Sequence, residues 1–254
     1  MDIIAFLGRS RATPEFAIET KIANVIGSTN ETLSLWVEPV SKPIFFAMEQ
    51  FCKGTHHAFA VDLRSEGHVV KMLSQSDIVH YLLRHRHSFP GIHDFFQKPI
   101  GVISMQATAY AVETTSIVDV LEMCVVHHAV PILDRFFNVI AVFSASDLKG
   151  HLNAVVAFDA PMTVMEFITY RNDGAVRSPL TVTPECTLQE AAEAMYSRGF
   201  HRVFIQPRSP DYLPQVASYT DIIKSIFLDE RSHELEASRA SKGVMQSAPM
   251  DVVS

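Results

Sequence analysis

The 254-residue sequence has only three cysteines, Cys52, Cys124 and Cys186, widely spaced and without a CxxC pair. An odd, scattered set supports neither a disulfide framework nor a zinc site, and fits reduced thiols in a cytosolic or nuclear protein. Positive charge is scarce as well: 21 Lys and Arg stand against 28 Asp and Glu, a net charge of -7. Nucleic-acid binders usually show a basic stripe or patch, so no nucleic-acid partner is expected. No apolar run reaches the roughly 18–20 residues of a membrane span, so no membrane insertion is expected. The opening Met1–Leu7 carries Asp2 and lacks the cationic stretch of a secretory signal.

Catalytic signatures are missing too. The chain has no GxSxG, no HExxH, no P-loop GxxxxGK and no GxGxxG. Cys124 lies close to His127 and His128, but it belongs to the apolar stripe of a helix and reads as an inert buried thiol. His85 and His87, in a polar stretch, read as solvated. No enzyme activity and no catalytic residue are expected. The composition, 48% hydrophobic, is enough for folded cores over most of the chain.

What the sequence does have is a repeat of about 70 residues. Val69–Val79, Val139–Leu148 and Gln215–Ile223 each run from a short apolar strand through Ser-x-(Ser/Thr)-Asp into an apolar helix start. Asp77, Asp147 and Asp221 close the three motifs, 70 and 74 positions apart. Upstream of each lies an amphipathic stripe at i, i+3, i+4, i+7. The stripes are Ile44, Ala47, Met48, Phe51; Ile117, Val120, Leu121, Cys124; and Leu188, Ala191, Ala192, Met195. Thr187 and Glu190 form a capping box, and Ser116 with Asp119 a weaker one. One strand precedes each stripe, at Leu33–Val37, Ala109–Val112 and Leu180–Thr183. Another follows it, at Ala58–Asp62, Ala129–Asp134 and Arg202–Gln206. Each unit therefore reads strand, helix, strand, strand, helix.

Asp2–Leu7 matches the helix starts at Asp77 and Asp221, and Asp2 stands 75 positions before Asp77. The expected organisation is a remnant of a first unit over 1–27, units over 28–90, 91–155 and 156–231, and a mobile tail over 232–254. Arg84–Pro90 and Asn153–Gly174 read as linkers, and the Pro-rich run Pro207–Pro214 as a long strand connection.

The repeated polar residues admit two readings. Ser, Thr and Asp can cap the following helix by accepting its orphan N–H groups. They can also serve an anionic or polyhydroxylated ligand, because the helix N-terminus attracts phosphate and a carboxylate can accept ribose hydroxyls. His56-His57, His127-His128 and His201-Arg202 stand just before a strand in each unit, where cationic donors would meet phosphate. A metal site is the weaker alternative, since adjacent histidines point apart on a strand.

These motifs resemble the CBS (cystathionine β-synthase) domain, a β-α-β-β-α unit closing on Ser/Thr-x-Ser/Thr-Asp. Their order is similar to that of the gamma regulatory subunits of AMP-activated protein kinases. The resemblance covers about residues 1 to 230. It implies an α+β fold of tandem CBS repeats stacked as Bateman modules, with the first repeat incomplete. It also implies a non-catalytic sensor with no required cofactor, binding AMP, ADP and ATP between repeats and acting with a kinase catalytic (alpha) and a beta-type subunit. The alternatives are a free-standing CBS regulator of another enzyme or transporter, expected as a homodimer, and a nucleotide-free scaffold.

Carried over residue by residue, the family's ribose-binding acid falls on Asp77, Asp147 and Asp221. The accompanying hydroxyls fall on Ser74, Ser76, Ser144, Ser146, Ser218 and Thr220. The phosphate-facing pair falls on His201 and Arg202, and on His56 and His57, with His57 standing where the family carries Arg. The middle unit is about two residues short before Ala129. The family has a non-acid at the position of Asp77 and leaves that cleft empty, so keeping the acid implies a loaded site here.

Overall fold

The computed structural model describes residues 21–24, 36–62, 64, 69–106, 109–148, 162–172, 174–206 and 212–229. The expected remnant at 1–27, apart from a 3₁₀ turn at Ile22–Asn24, and the tail at 232–254 lie outside the described residues. So do the beginning of the strand expected at Leu33 and most of the Pro207–Pro214 connection.

The repeat period builds three small sheets. In the first, β1 (Trp36–Pro39) pairs in parallel with β2 (His57–Asp62), which pairs antiparallel with β3 (Val69–Ser74). Helix α1 (Ile44–Cys52) crosses from β1 to β2, and α2 (Gln75–His85) follows β3. The middle sheet repeats this order with β5 (Ala111–Val112), β6 (Ala129–Leu133) and β7 (Val139–Ser144). The last consists of β8 (Thr181–Val182), β9 (Arg202–Ile205) and β10 (Gln215–Ser218), with β4 (Met105–Gln106) added at the outer edge of β10. Their crossing helices are α4 (Ile117–His127) and α6 (Leu188–Arg198), and a helix over 219–229, α7, follows β10.

The stripes face inward as the periodicity requires. In α4 and α6 all four stripe residues are buried, and in α1 Ala47, Met48 and Phe51 are. Burying a side chain such as Leu188 or Met195 completely stabilises the fold by roughly 1.5–3 kcal/mol. Helix α6 is held at its start by the expected capping box. Thr187 accepts from the Glu190 N–H, and the Glu190 carboxylate accepts from the Thr187 N–H at 2.9 Å. Gly199, at φ 65°, ends it in the left-handed conformation that a glycine adopts without strain. The box foreseen at Ser116 is only half made: Ser116 accepts from Val118, with no return bond from Asp119. Thr187→Ala is expected to cost about 1 kcal/mol, read as a lower denaturant midpoint with unchanged slope.

Both expected linkers are corrected by helices. Arg84–Pro90 is not a loop: α2 runs to His85, a 3₁₀ turn spans Arg86–Ser88, and Pro90 opens helix α3 (Pro90–Gln97). Pro is tolerated there because the first helical N–H has no intrahelical partner. Within Asn153–Gly174 lies helix α5 (Val164–Arg171), capped by a complete box from Thr163 and Glu166. The middle unit departs in another way, since β7 leads into a 3₁₀ turn, Ala145–Leu148, among the described residues.

These two helices exchange partners. α3 and β4 precede the middle sheet in sequence but pack on the last one: Pro99 bridges to Thr187, and β4 pairs with β10. α5 precedes the last sheet but packs on the middle one, with Thr163 bridged to Ser116. Phe167 of α5 meets Phe143 edge-to-face at 5.8 Å in the middle core. A larger core joins the first unit to the last, through Phe51, Ile78, Phe96, Met195 and Ile222. Stacked pairs Phe45–Phe227 at 4.7 Å and His80–Tyr196 at 3.7 Å close its rim. Among the described residues no helix is long and apolar enough to cross a membrane.

Candidate functional site: three capped carboxylates and a shared basic cluster

Each Ser-x-(Ser/Thr)-Asp motif folds into a cap because the strand delivers its last Ser at the N-cap of the next helical turn. In the first unit the Ser74 N–H and hydroxyl donate to Asp77 Oδ2 at 2.8 and 2.7 Å, and the Asp77 N–H donates back to Ser74 Oγ at 3.3 Å. The last unit repeats this: Ser218 donates to Asp221 Oδ2 at 2.8 and 2.6 Å, and Asp221 N–H returns the bond at 3.4 Å. In the middle unit Ser144 donates to Asp147 Oδ2 at 2.5 and 2.8 Å. Ser76 and Ser146 each lie 2.8 Å from the N-cap hydroxyl of their own motif.

The capping reading is realised with both reciprocal bonds in the first and last units and by Ser144 donating to Asp147 in the middle one, and it occupies only one oxygen of each acid. Oδ1 of Asp77 and of Asp221 has no hydrogen-bond partner among the described residues. Asp147 differs: its Oδ1 accepts from Arg171 Nη1, an ion pair supplied by the last turn of α5. Arg171 stands outside every motif of the repeat, and only the tertiary packing of α5 brings it to the acid.

The first and last motifs are joined. Gln75 is buried, donates to the Thr55 carbonyl at 3.1 Å and accepts from the Thr220 hydroxyl at 3.1 Å. One amide thus ties the cap of α2 to the cap of α7, and the carboxylates of Asp77 and Asp221 belong to neighbouring helix starts.

Strand register aligns the basic residues without ambiguity. The residue paired with the motif Ser is His57 in the first unit, Ala129 in the middle one and Arg202 in the last. His56, His128 and His201 each stand one residue earlier. The middle unit thus carries no cation at the position of Arg202. Its shortness is absorbed by His128, which adopts φ 61° and ends α4 directly before β6, where α6 uses Gly199.

The three units bring these side chains together. The rings of His56 and His128 meet edge-on at 5.2 Å, and Arg202 Nη1 donates to the His127 carbonyl at 2.5 Å. His201 feels Arg202, His57 and His56, and partial burial together with their charge holds its imidazole below the usual histidine range. Burial lowers the Arg202 pKa, opposed by the nearby Asp221 carboxylate. The result is a cluster of basic side chains with the Asp221 carboxylate near Arg202, a pairing of donors and acceptors suited to a ligand with both phosphate and hydroxyl groups.

Nucleophilic chemistry has little footing in the thiols. Cys124 is fully buried and donates to the Phe143 carbonyl at 3.7 Å; burial pushes its thiol up to about 12. Burial raises Cys186 to about 11. Neither forms an appreciable thiolate near neutrality. Among the described residues no group of three or more His, Cys, Asp or Glu side chains is placed to hold a metal ion.

Residues 175–227 match the family model of the CBS domain. Over 242 residues the chain is 28% identical to an Arabidopsis thaliana protein named SNF1-related protein kinase regulatory subunit gamma-like PV42a, covering 82% of this chain and 68% of that one. Its counterpart PV42b in the same plant is 24% identical over 239 residues, covering 80% and 66%. The chain thus spans about two thirds of the length of these relatives. In fold it is similar to a Methanocaldococcus jannaschii protein described as an archaeal homolog of g-AMPK. That match has a TM-score of 0.63 and 14% identity, and covers 89% of this chain and 81% of that one. An uncharacterized conserved protein from Pyrococcus horikoshii follows, with a TM-score of 0.55, 16% identity and coverage of 76% and 79%. The chain is an α+β protein that carries a match to the CBS domain in its last repeat, similar in fold to the archaeal protein and in sequence to gamma-like regulatory subunits of SNF1-related protein kinases.

Proposed function

We propose that the chain is a non-catalytic regulatory subunit that senses adenine nucleotides, with AMP, ADP and ATP competing for the clefts at Asp77 and Asp221. It acts in this reading with a kinase catalytic (alpha) subunit and a beta-type subunit, as the gamma-like name of its Arabidopsis relatives implies. The observation that carries the proposal is the Asp221 Oδ1, without a hydrogen-bond partner among the described residues, on a carboxylate near Arg202 and the His56, His57 and His201 cluster, with the cap at Asp77 leaving its Oδ1 open in the same way. A carboxylate oxygen that the cap leaves open can accept ribose hydroxyls, while the cluster supplies charge and donors for phosphates. Asp147, with Arg171 on its second oxygen, is not counted as an open site. Regulation follows from differential affinity: a nucleotide that binds one arrangement of the repeats more tightly shifts the assembly toward it.

The test is a thermal melt of the full chain with AMP, ADP or ATP. At a hundredfold excess over Kd one site adds roughly 2.7 kcal/mol. For a chain of this size that is a rise in Tm of about 5–10 °C. A folded preparation that shows no rise with any of the three overturns the proposal.

A pH dependence follows from His201. Partial burial, and then the neighbouring Arg202, His57 and His56, lower its pKa, and a bound phosphate opposes that shift. Nucleotide affinity is therefore expected to rise as pH falls from neutrality into the histidine range. Titration calorimetry at several pH values should show a shallower dependence in His201→Gln.

A further inference from the structure

Gln75 is the one polar or charged side chain that is buried among the described residues, at 7% exposure, and its amide spans two units. The direction of its two hydrogen bonds is fixed by the chain. The Thr55 carbonyl can only accept, so Gln75 Nε2 must face it, at 3.1 Å, and Oε1 is left for Thr220. That oxygen also only accepts, so the Thr220 hydroxyl spends its single hydrogen on Gln75.

The other two motifs direct this hydroxyl elsewhere. Ser74 and Ser144 give their hydrogens to Asp77 and Asp147. Ser76 and Ser146 therefore donate to those N-cap oxygens and stay within their own caps. The position of Gln75 is held by Ala145 and Tyr219 in the middle and last motifs, and neither carries an amide. The bridge is thus built once, between the helix starts of Asp77 and Asp221.

We propose that Gln75 is a positioning residue that couples these two clefts, so that a nucleotide bound at Asp221 weakens binding at Asp77. The inference rests on the sensor reading above. A phosphate oxygen at the start of α7 needs a hydrogen, and Thr220 can give one only by leaving Gln75. The buried Oε1 is then without a donor, a state that costs more than a lost surface bond. The amide regains a partner only by turning, which releases the Thr55 carbonyl directly before His56 and His57. Gln75 also stands between Ser74 and Ser76, so the same turn disturbs the cap that holds Asp77. By linkage, a nucleotide at Asp77 weakens binding at Asp221 by the same factor.

Calorimetric titration of the full chain with AMP tests the coupling. Asp77→Asn and Asp221→Asn each leave one cleft and give its Kd alone. The product of the two stepwise Kd values of the wild type, divided by the product of these single-cleft values, is the coupling factor. It is expected to be roughly 5 to 10. When all three chains also carry Gln75→Met, the factor should fall to unity. Thr220→Val cuts the same link from the other end, leaves Gln75 on Thr55, and should do the same; it stands in if the methionine variant does not fold. A wild-type factor of unity or below overturns the proposal and leaves the sensor reading in place. So does a factor that survives in either variant shown to be folded, or an Asp221→Asn chain that binds no AMP, because no second cleft then exists. A wild-type chain that binds no AMP overturns both.

Discussion

Truncating Phe167 to alanine is expected to cost about 3–5 kcal/mol, the usual range for a large aromatic removed from a closed core. Its side chain is fully buried and meets Phe143 edge-to-face, with Val120, Cys124 and Ile168 in the same cluster. For a chain of this size the Tm of the middle core should fall by about 6–20 °C. The middle unit has its own core, apart from the one that joins the first and last units, and meets the last sheet only through the smaller cluster of Leu133, Val139 and Phe204 among the described residues. The loss should therefore appear as an earlier melting step rather than as a uniform shift. The substitution also loosens the helix that carries Arg171 to Asp147. Arg171→Met isolates that consequence: the core stays, and Asp147 Oδ1 is released. Equilibrium dialysis should then find one more nucleotide bound per chain than in the wild type. An unchanged count would mean that the middle cleft lacks more than an open acid, in keeping with Ala129 at the position of Arg202.

The second large effect concerns Asp221, where one side chain has two duties on two oxygens. Oδ2 caps α7 through the Ser218 N–H and hydroxyl, and Oδ1 is the open acceptor. Asp221→Asn keeps an acceptor for the cap and removes the charge, whereas Asp221→Ala removes both. The expected result is that both variants lose the nucleotide-induced rise at this cleft, about 5–10 °C in the wild type. Only the alanine variant should also lose basal stability, by about 0.5–2 kcal/mol. Parallel melts with and without nucleotide check this. A rise retained in Asp221→Asn would show that the carboxylate acts through the cap alone.

The repeat was legible because its signal is local. Four apolar positions at helical spacing, repeated three times, need no tertiary information, and their burial in α4 and α6 follows directly. The Ser-x-(Ser/Thr)-Asp motif likewise encodes its own cap within four residues. Helix α5 was legible in principle, since Thr163 and Glu166 have the same spacing as Thr187 and Glu190, but only eight helical residues follow and they lie outside the repeated unit. Helix α3 was harder to see: Pro90 reads as a stop, and only the partner sheet shows that it is a start.

The site divides in the same way. The three acids, their hydroxyls and the basic residues stand out in the sequence by repetition. Their convergence does not, because no sequence pattern places His56 against His128, or Arg202 on the His127 carbonyl. Nor could the order of residues reveal that Arg171 closes one acid or that Gln75 links the other two motifs. Both depend on which sheet each upstream helix chooses.

That choice has a consequence for synthesis. A chain emerging from the ribosome releases α3 and β4 long before β8, α6, β9 and β10 exist, so these early segments wait for their sheet. The middle sheet, in turn, leaves the exit tunnel before α5 has arrived to cover it. Folding can therefore not be completed unit by unit in the order of translation. The middle and last sheets close late and together, and a nascent chain halted between them presents two unfinished cores to the chaperones around it.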